Sequence, residues 1–287
     1  MVLDESVRQQ AKVITVGGFL APTAALPEIA EGWRALKASM GLGPKDELKY
    51  AIYQDHPSYL RLEQGGWPRS RRLAAMLEWL TDQPVLLLAD TVHDWRRPGD
   101  RAHVKDLYVH ALGWCVRRAA NHVEFDLRAP AGPHAVLVDM PNGVHRVSDD
   151  NRTWLLRSLG NSLATAAFAL YQSRYLDPEP FPSGDGSALA SVGFQPELHA
   201  AHAKHSDLLQ VADLVAGCVS DLCAARLQHG PADASTWRED HFQLIAGQFR
   251  RHTDGRVISF GLDAFDPDGA DPQLRDYLES LVATAVG

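Results

Sequence analysis

Acidic residues stand in apolar segments of this sequence, where a carboxylate is costly to bury. Asp4 ends the first apolar segment, and Asp139 ends the apolar run AVLVD. Asp213 lies within LLQVADLVAG (208–217), which is apolar on nearly every side of a helix. A buried carboxylate needs a cation, a hydrogen-bond donor or a raised pKa. Where several of them meet, a divalent ion relieves their repulsion, and oxygen ligands favour Mg²⁺ or Mn²⁺. These residues therefore predict a metal site.

Two such ions would give this site a hydrolytic chemistry. Ions about 3.5–4 Å apart can bridge a phosphodiester, one activating water and the other stabilising the leaving oxygen. No covalent nucleophile is needed, and the sequence contains no G-x-S-x-G motif for one. The three cysteines show no CxxC or CxxH spacing that would indicate a zinc site or a disulfide framework. A site that binds divalent metal is therefore the chemistry that the residues themselves favour.

Strands that alternate with long helices are predicted to position these carboxylates. The predicted strands are 1–4, 12–20, 84–92, 134–140 and 256–260, with short extended segments at 189–194 and 197–201. The predicted helices are 23–40, 69–81, 103–126, 151–171, 206–229 and 272–286. Segment 46–53 is ambiguous between strand and helix, and the Pro/Gly/Ser-rich segment 177–186 indicates a loop. The pattern predicts an α/β fold with a mixed sheet that begins with an antiparallel hairpin.

Composition limits the partners of the chain. Its 287 residues carry a net charge of −8, which excludes general, charge-driven binding to nucleic acid. The charged start MVLDESVRQQ does not resemble a secretory signal, and no apolar run approaches the ~20 residues of a membrane span. We therefore expect a cytoplasmic protein without a membrane partner. A phosphate substrate would be bound locally, in a cleft where metal ions offset the acidic charge.

Several motifs carry a resemblance to a known family. The segment LQVADLVAG resembles the signature helix of the bacterial domain of unknown function 3800 family, LQ-x-AD-hydrophobic-x-AG. The other matching motifs are LDES at 3–6, GG at 17–18, ELK at 47–49 and VD at 138–139. Val7 departs from the glycine that the family has after DES. The resemblance spans about residues 1–228.

The resemblance implies a ribonuclease-H-like mixed sheet flanked by helices over 1–228. The sequence pattern itself predicts that 229–287 is a small C-terminal appendage of one strand and one helix, packed on that domain. The resemblance also implies a metal-dependent nuclease in a defence or mobile-element context. The site residues that it implies are Asp4, Glu47, Asp139 and Asp213, as Mg²⁺ or Mn²⁺ ligands around the scissile phosphate. Asp90, at the end of LLLAD, competes with Asp139 for the strand position, and the order of the motifs favours Asp139.

Local positive charge must bind the nucleic acid if the net charge opposes it. Lys49 lies two residues from Glu47, and Arg71 and Arg72 lie close to Trp67, which could stack on a base. A second cluster is Arg96 and Arg97 beside Trp95. All of these residues could equally be solvated surface residues. The alternative function is a catalytically inactive ribonuclease-H-like module that binds a protein partner or assembles with itself.

Overall fold

The first two strands form an antiparallel hairpin, as predicted. In the computed structural model of the chain, β1 (Val2–Arg8) and β2 (Val13–Leu20) pair along their whole length, with Val2 opposite Phe19 and Arg8 opposite Val13. β1 is longer than the predicted segment 1–4, because pairing with β2 continues through its more polar half. The residues that the structure describes are 1–8, 10–54, 56–93, 101–128, 132–139, 192–229, 236–266 and 269–286. The predictions at 151–171, 177–186 and 96–97 lie outside them.

Among the residues described, seven strands form one mixed sheet in the order β5-β4-β1-β2-β3-β6-β7. The further strands are β3 (Leu86–His93), β4 (His134–Asp139), β5 (Phe194–Ala201), β6 (Leu262–Asp266) and β7 (Gly269–Ala270). β4 runs parallel to β1 and β5 parallel to β4, whereas β3 is antiparallel to β2. On the other side, β6 runs parallel to β3. The predicted α/β fold with a mixed sheet is confirmed, and this strand order is compatible with a ribonuclease-H-like sheet.

Helices cover both faces of the sheet. They are α1 (Leu26–Ser39), α2 (Tyr59–Gln64), α3 (Arg69–Thr81), α4 (Arg101–Asn121), α5 (Asp207–His229), α6 (Thr236–Ala246) and α7 (Pro272–Val286). The short turns are Thr23–Ala25, Ala203–His205 and the π-helical His122–Asp126. Strand side chains alternate between two apolar cores. One core packs β1 and β2 against α5 and its neighbouring helices, and the other packs β2 and β3 against α4.

Helix α5 is the centre of the larger core. It is the one helix, among the residues described, that is long and apolar enough to cross a membrane, but 89% of its apolar stretch is buried inside the protein. This is consistent with the core helix of a soluble protein. Gly17 lets α5 approach the sheet closely, because a Cβ there would lie 3.1 Å from the Ala216 Cα. The predicted GG motif thus has a packing role.

The C-terminal part joins the main sheet through β6. The predicted strand 256–260 is wrong, since this segment forms turns with Ser259 at φ 68°, and the strand begins only at Leu262. α6 was not predicted, because its segment TWREDHFQLIA carries many charges and little apolar periodicity. Segment 46–53 is neither strand nor helix. It runs beside α5, and its backbone N–H groups donate hydrogen bonds to side chains of that helix.

Candidate functional site

Asp4 and Asp139 lie side by side on adjacent parallel strands. Leu3 of β1 pairs with Val138 of β4, so the next residue on each strand is an aspartate. Both aspartates are only 5% exposed. The Asp139 Oδ1 accepts a hydrogen bond of 2.8 Å from the Ala203 backbone N–H, which orients the carboxylate. β4 ends at Asp139 whereas β1 continues to Arg8, so the two carboxylates mark the end of the β1–β4 pairing.

Asp213 reaches the same place from α5, which packs on β1 and β2. Burial raises the pKa of Asp4 well above its ordinary value, and the charges of Glu5, Asp139 and Asp213 raise it further. The effect of the Asp213 charge on Asp4 indicates that Asp213 lies near the strand carboxylates. Its Oδ2 accepts a 2.7 Å hydrogen bond from the backbone N–H of Tyr50. Elements far apart in the sequence therefore bring the three predicted aspartates together.

Helix α5 also holds the segment that precedes Tyr50, through the Gln of its LQ-x-AD motif. The Gln210 Oε1 accepts hydrogen bonds from the Leu48 backbone N–H at 3.1 Å and from the indole of Trp33 at 3.2 Å. Gln210 and Asp213 thus bind alternate backbone N–H groups of one extended segment. This gives the LQ-x-AD motif a physical role, because it fixes the segment that carries Glu47 and Lys49.

Lys49 lies among the carboxylates and is not a solvated surface lysine. Burial lowers the pKa of Lys49, but the charges of Asp213, Glu47, Asp4 and Asp139 outweigh burial and raise it above its usual value. Its Nζ lies 3.5 Å from the Glu47 Oε1. A hydrogen bond of 3.4 Å with His56, helped by Lys49, lowers the pKa of Glu47 to about 2. Glu47 is therefore ionised and lies between Lys49 and His56.

Glu5 belongs to the site although the sequence analysis did not select it. Its backbone N–H donates to the Asp4 Oδ1 at 2.7 Å. Burial, and then the charge of Asp139, raise the pKa of the Glu5 carboxyl to about 8. Its Oε2 is buried and has no hydrogen-bond partner among the residues described. The LDES motif contains Glu5, but the sequence alone does not show that its carboxyl lies close enough to act on Asp4 and Asp139.

The proposed competitor Asp90 lies elsewhere. It is fully buried and forms an ion pair with Arg118 of α4, and the Cys115 thiol donates to it at 3.2 Å. Asp263 of β6 binds the same guanidinium at 2.6 Å. Burial raises the pKa of Asp90 to about 6, although Arg118 opposes this. Asp90 is therefore part of a buried ion-pair network, and Asp139 is the strand residue beside Asp4.

The two predicted substrate-binding arginines differ. Arg72 is 1% exposed, and its Nη1 donates to the Trp67 carbonyl oxygen at 3.4 Å, so the prediction that it binds a substrate is wrong. Arg72 lies in the first turn of α3, and the inner face of this helix is buried. Burial lowers the pKa of the Arg72 guanidinium. Arg71 is exposed, donates to the Gly66 carbonyl oxygen at 2.9 Å and lies 4.4 Å over the Trp67 ring. The cations that act on the acidic site are instead Lys49 and Arg8.

The carboxylates fit a divalent cation by donor type and by charge. All are oxygen donors, and burial and mutual repulsion raise the pKa of Asp139 to about 6 and that of Asp213 above its ordinary value. The unpartnered Oε2 of Glu5 is a further donor. Within the described part of the chain, no three His, Cys, Asp or Glu side chains are arranged to hold a metal as they stand. Binding would require the side chains to close around the ion.

No protein-family model, curated protein or solved structure matches the chain. The resemblance to the domain of unknown function 3800 family therefore stays a prediction, and the function must be argued from the geometry of the site.

Proposed function

We propose that the protein is a nuclease that depends on Mg²⁺ or Mn²⁺ and hydrolyses phosphodiester bonds at the acidic site. One observation carries the proposal: Asp4, Asp139 and Asp213 meet from two strands and a helix, and Glu5 adds a fourth carboxyl. The one ammonium group of Lys49 offsets only part of this buried negative charge, and a fold gains no stability from the remainder without a further cation. The presence of this charge in one place is therefore better explained by binding of a divalent ion.

Asp4, Asp139 and Asp213 would hold the metal, which would supply an activated water and stabilise the leaving oxygen. The chain itself supplies the remaining roles. Lys49, charged and placed among the carboxylates, attracts the substrate phosphate, and Glu47 orients its ammonium group. The raised pKa of Glu5, about 8, lets its carboxyl hold a proton at neutral pH, and its Oε2 has no hydrogen-bond partner in the described structure, so it can donate that proton to the leaving oxygen.

Cleavage assays with the metal ions test this proposal. Single- and double-stranded DNA and RNA would be incubated with Mg²⁺ or Mn²⁺ and with wild type, Asp4→Asn or Asp213→Asn. We expect either substitution to lower cleavage by more than about 100-fold, because even the partners of metal ligands are worth about 10–100-fold. Asp276→Asn, at an exposed position of α7, is the matched control. Cleavage that both site variants retain would contradict the proposal.

The position of Lys49 favours a second candidate, a ribonuclease-H-like binding module without cleavage, acting on a protein partner or on a second copy. An internal ammonium group neutralises part of the carboxylate charge without a metal. Calorimetric titration with Mn²⁺ separates the two functions. Binding that Asp213→Asn removes supports the nuclease, and absence of both metal binding and cleavage supports the inactive module. For either function we propose a cytoplasmic location, from the composition of the chain.

A further inference from the structure

A cavity of about 430 Å³ lies where β1 ends beside the C-terminal half of α5. It is lined by Arg8, Arg238 and Asp221, and by Tyr53, which is 64% exposed. Arg8 links this cavity to the acidic site, because its charge also lowers the pKa of Asp213. We call the cavity and the residues that line it the arginine pocket.

Positive charge exceeds negative charge at the arginine pocket. Asp221 accepts hydrogen bonds from the Arg238 Nε at 3.1 Å and from the Arg69 Nη2 at 3.3 Å, and the Arg8 Nε lies 3.7 Å from it. The Tyr50 hydroxyl donates to the same carboxylate at 3.1 Å. One carboxylate thus faces three guanidinium groups, and Asp221 is the one acidic residue among the described lining residues. The excess suits an anion, in a protein whose net charge is −8.

The arginine pocket lies at about the same distance from the acidic site along β1 as along α5. Arg8 follows Asp4 by four residues on the same face of β1, which corresponds to about 13 Å along a strand. Asp221 follows Asp213 by eight residues on α5, which corresponds to about 12 Å along a helix. Along both elements the arginine pocket therefore lies at about the same spacing from the carboxylates, and a chain of phosphates can contact both the acidic site and the guanidinium groups around Asp221.

We propose that the arginine pocket binds a single-stranded nucleotide of the substrate about two positions from the cleaved phosphate, its phosphate on Arg8 and Arg238 and its base on Tyr53. Guanidinium groups bind phosphate oxygens through charge-assisted hydrogen bonds. An exposed aromatic ring beside them offers a stacking surface that accepts any base. This inference rests on the proposed nuclease function, but it concerns binding and is measured separately from cleavage.

Fluorescence anisotropy with labelled single-stranded DNA and RNA oligonucleotides, in Ca²⁺ in place of Mg²⁺, measures the contribution of the pocket. Arg238→Gln should raise the dissociation constant by about tenfold, the loss of one charge-assisted contact. It should also reduce the slope of log affinity against log salt by about 0.7. Arg256→Gln is the matched control, since Arg256 is also paired with an aspartate but lies in the turn before β6.

Two further substitutions distinguish a binding role from a structural one. Asp221→Asn removes the internal counter-charge and should tighten binding, whereas a structural role for the ion pairs predicts weaker binding in both Asp221→Asn and Arg238→Gln. Tyr53→Ala should weaken binding by about tenfold, and Tyr53→Phe should retain it, because stacking needs only the ring. Circular dichroism melting curves show which variants are folded.

The outcomes separate the inference from the proposed function. If the protein shows metal-dependent cleavage but Arg238→Gln and Tyr53→Ala bind the oligonucleotides as tightly as wild type, the proposed binding role of the arginine pocket is overturned and the proposed nuclease function stands. Weaker binding in both Arg238→Gln and Asp221→Asn would also overturn it. Absence of both cleavage and oligonucleotide binding in the wild type would overturn both. Affinity that depends on Arg238 but not on Tyr53 would indicate a simple anion site and contradict the nucleotide proposal.

Discussion

Replacement of Glu5 by Gln should stabilise the metal-free protein at alkaline pH. Gln has nearly the same shape as Glu but carries no charge, so Glu5→Gln removes the cost of ionising a carboxyl that burial and Asp139 oppose. In most proteins, removal of a buried charge that has a partner is destabilising. Here the Glu5 Oε2 has no partner in the described structure, and the opposite sign is expected.

The magnitude follows from the two pKa values. The pKa of Glu5 is about 8 in the folded protein, against an ordinary value of 4.5. Between these values the folded state keeps the proton and the unfolded state has released it, so the free energy of unfolding falls as the pH rises. One site with these values costs about 4 kcal/mol at pH 8 and about 1 kcal/mol at pH 5. Glu5→Gln should therefore gain about 3 kcal/mol more at pH 8 than at pH 5.

Urea unfolding in EDTA at the two pH values measures this difference. Glu28→Gln, at an exposed position in the first turn of α1, controls for the loss of one acidic charge from the protein. The reasoning is refuted if Glu5→Gln and wild type lose the same unfolding free energy between pH 5 and pH 8. Such a result would mean that Glu5 is ionised in the folded state, with a partner or a solvent path that the geometry does not provide.

Three further predictions concern the metal, the packing of α5 and the buried ion pairs. Mn²⁺ should raise the melting temperature of wild type more at pH 8 than at pH 5, because protons compete for the same carboxylates, and Asp4→Asn should remove this difference. Gly217→Ala should lower the unfolding free energy by about 1–3 kcal/mol, since the new Cβ would lie 2.5 Å from the Tyr50 Cγ; Gly247→Ala, with no atom within 4 Å, should have little effect. Arg118→Met should lower it by about 3–5 kcal/mol, because Asp90 would remain buried without its cation. Denaturant titrations check both stability predictions, and an Arg118→Met protein as stable as wild type would show that Asp90 is protonated or solvated.

Apolar periodicity was sufficient to predict the main elements of the fold. Helix 69–81 and helix 272–286 have the predicted bounds, and α5 begins one residue after the predicted start. These segments carry strong apolar faces that must be buried whatever surrounds them. The short helix α2 and the polar helix α6 lack that pattern. Packing against neighbouring elements stabilises them more than their own sequence does, and for this reason the sequence did not predict them.

The site was predicted where a costly charge interrupts an apolar element, as at Asp4, Asp139 and Asp213. It was not predicted where tertiary contacts decide the outcome. Lys49 could not be placed, since its segment has no regular structure and depends on hydrogen bonds to side chains of α5. Arg72 was misassigned because a helix start with several arginines does not reveal which of them faces the core.

Tyr50 joins the acidic site to the arginine pocket. Its backbone N–H binds Asp213 and its hydroxyl binds Asp221, so one residue contacts two of the carboxylates of α5. The ring can lie across the helix because position 217, between the two aspartates, is a glycine. This geometry explains the glycine of the AG that follows LQ-x-AD, since a larger residue at position 217 would push the Tyr50 ring away. A shift of Tyr50 would disturb the hydrogen bonds of both aspartates at once, and for this reason the two regions are expected to behave as one site.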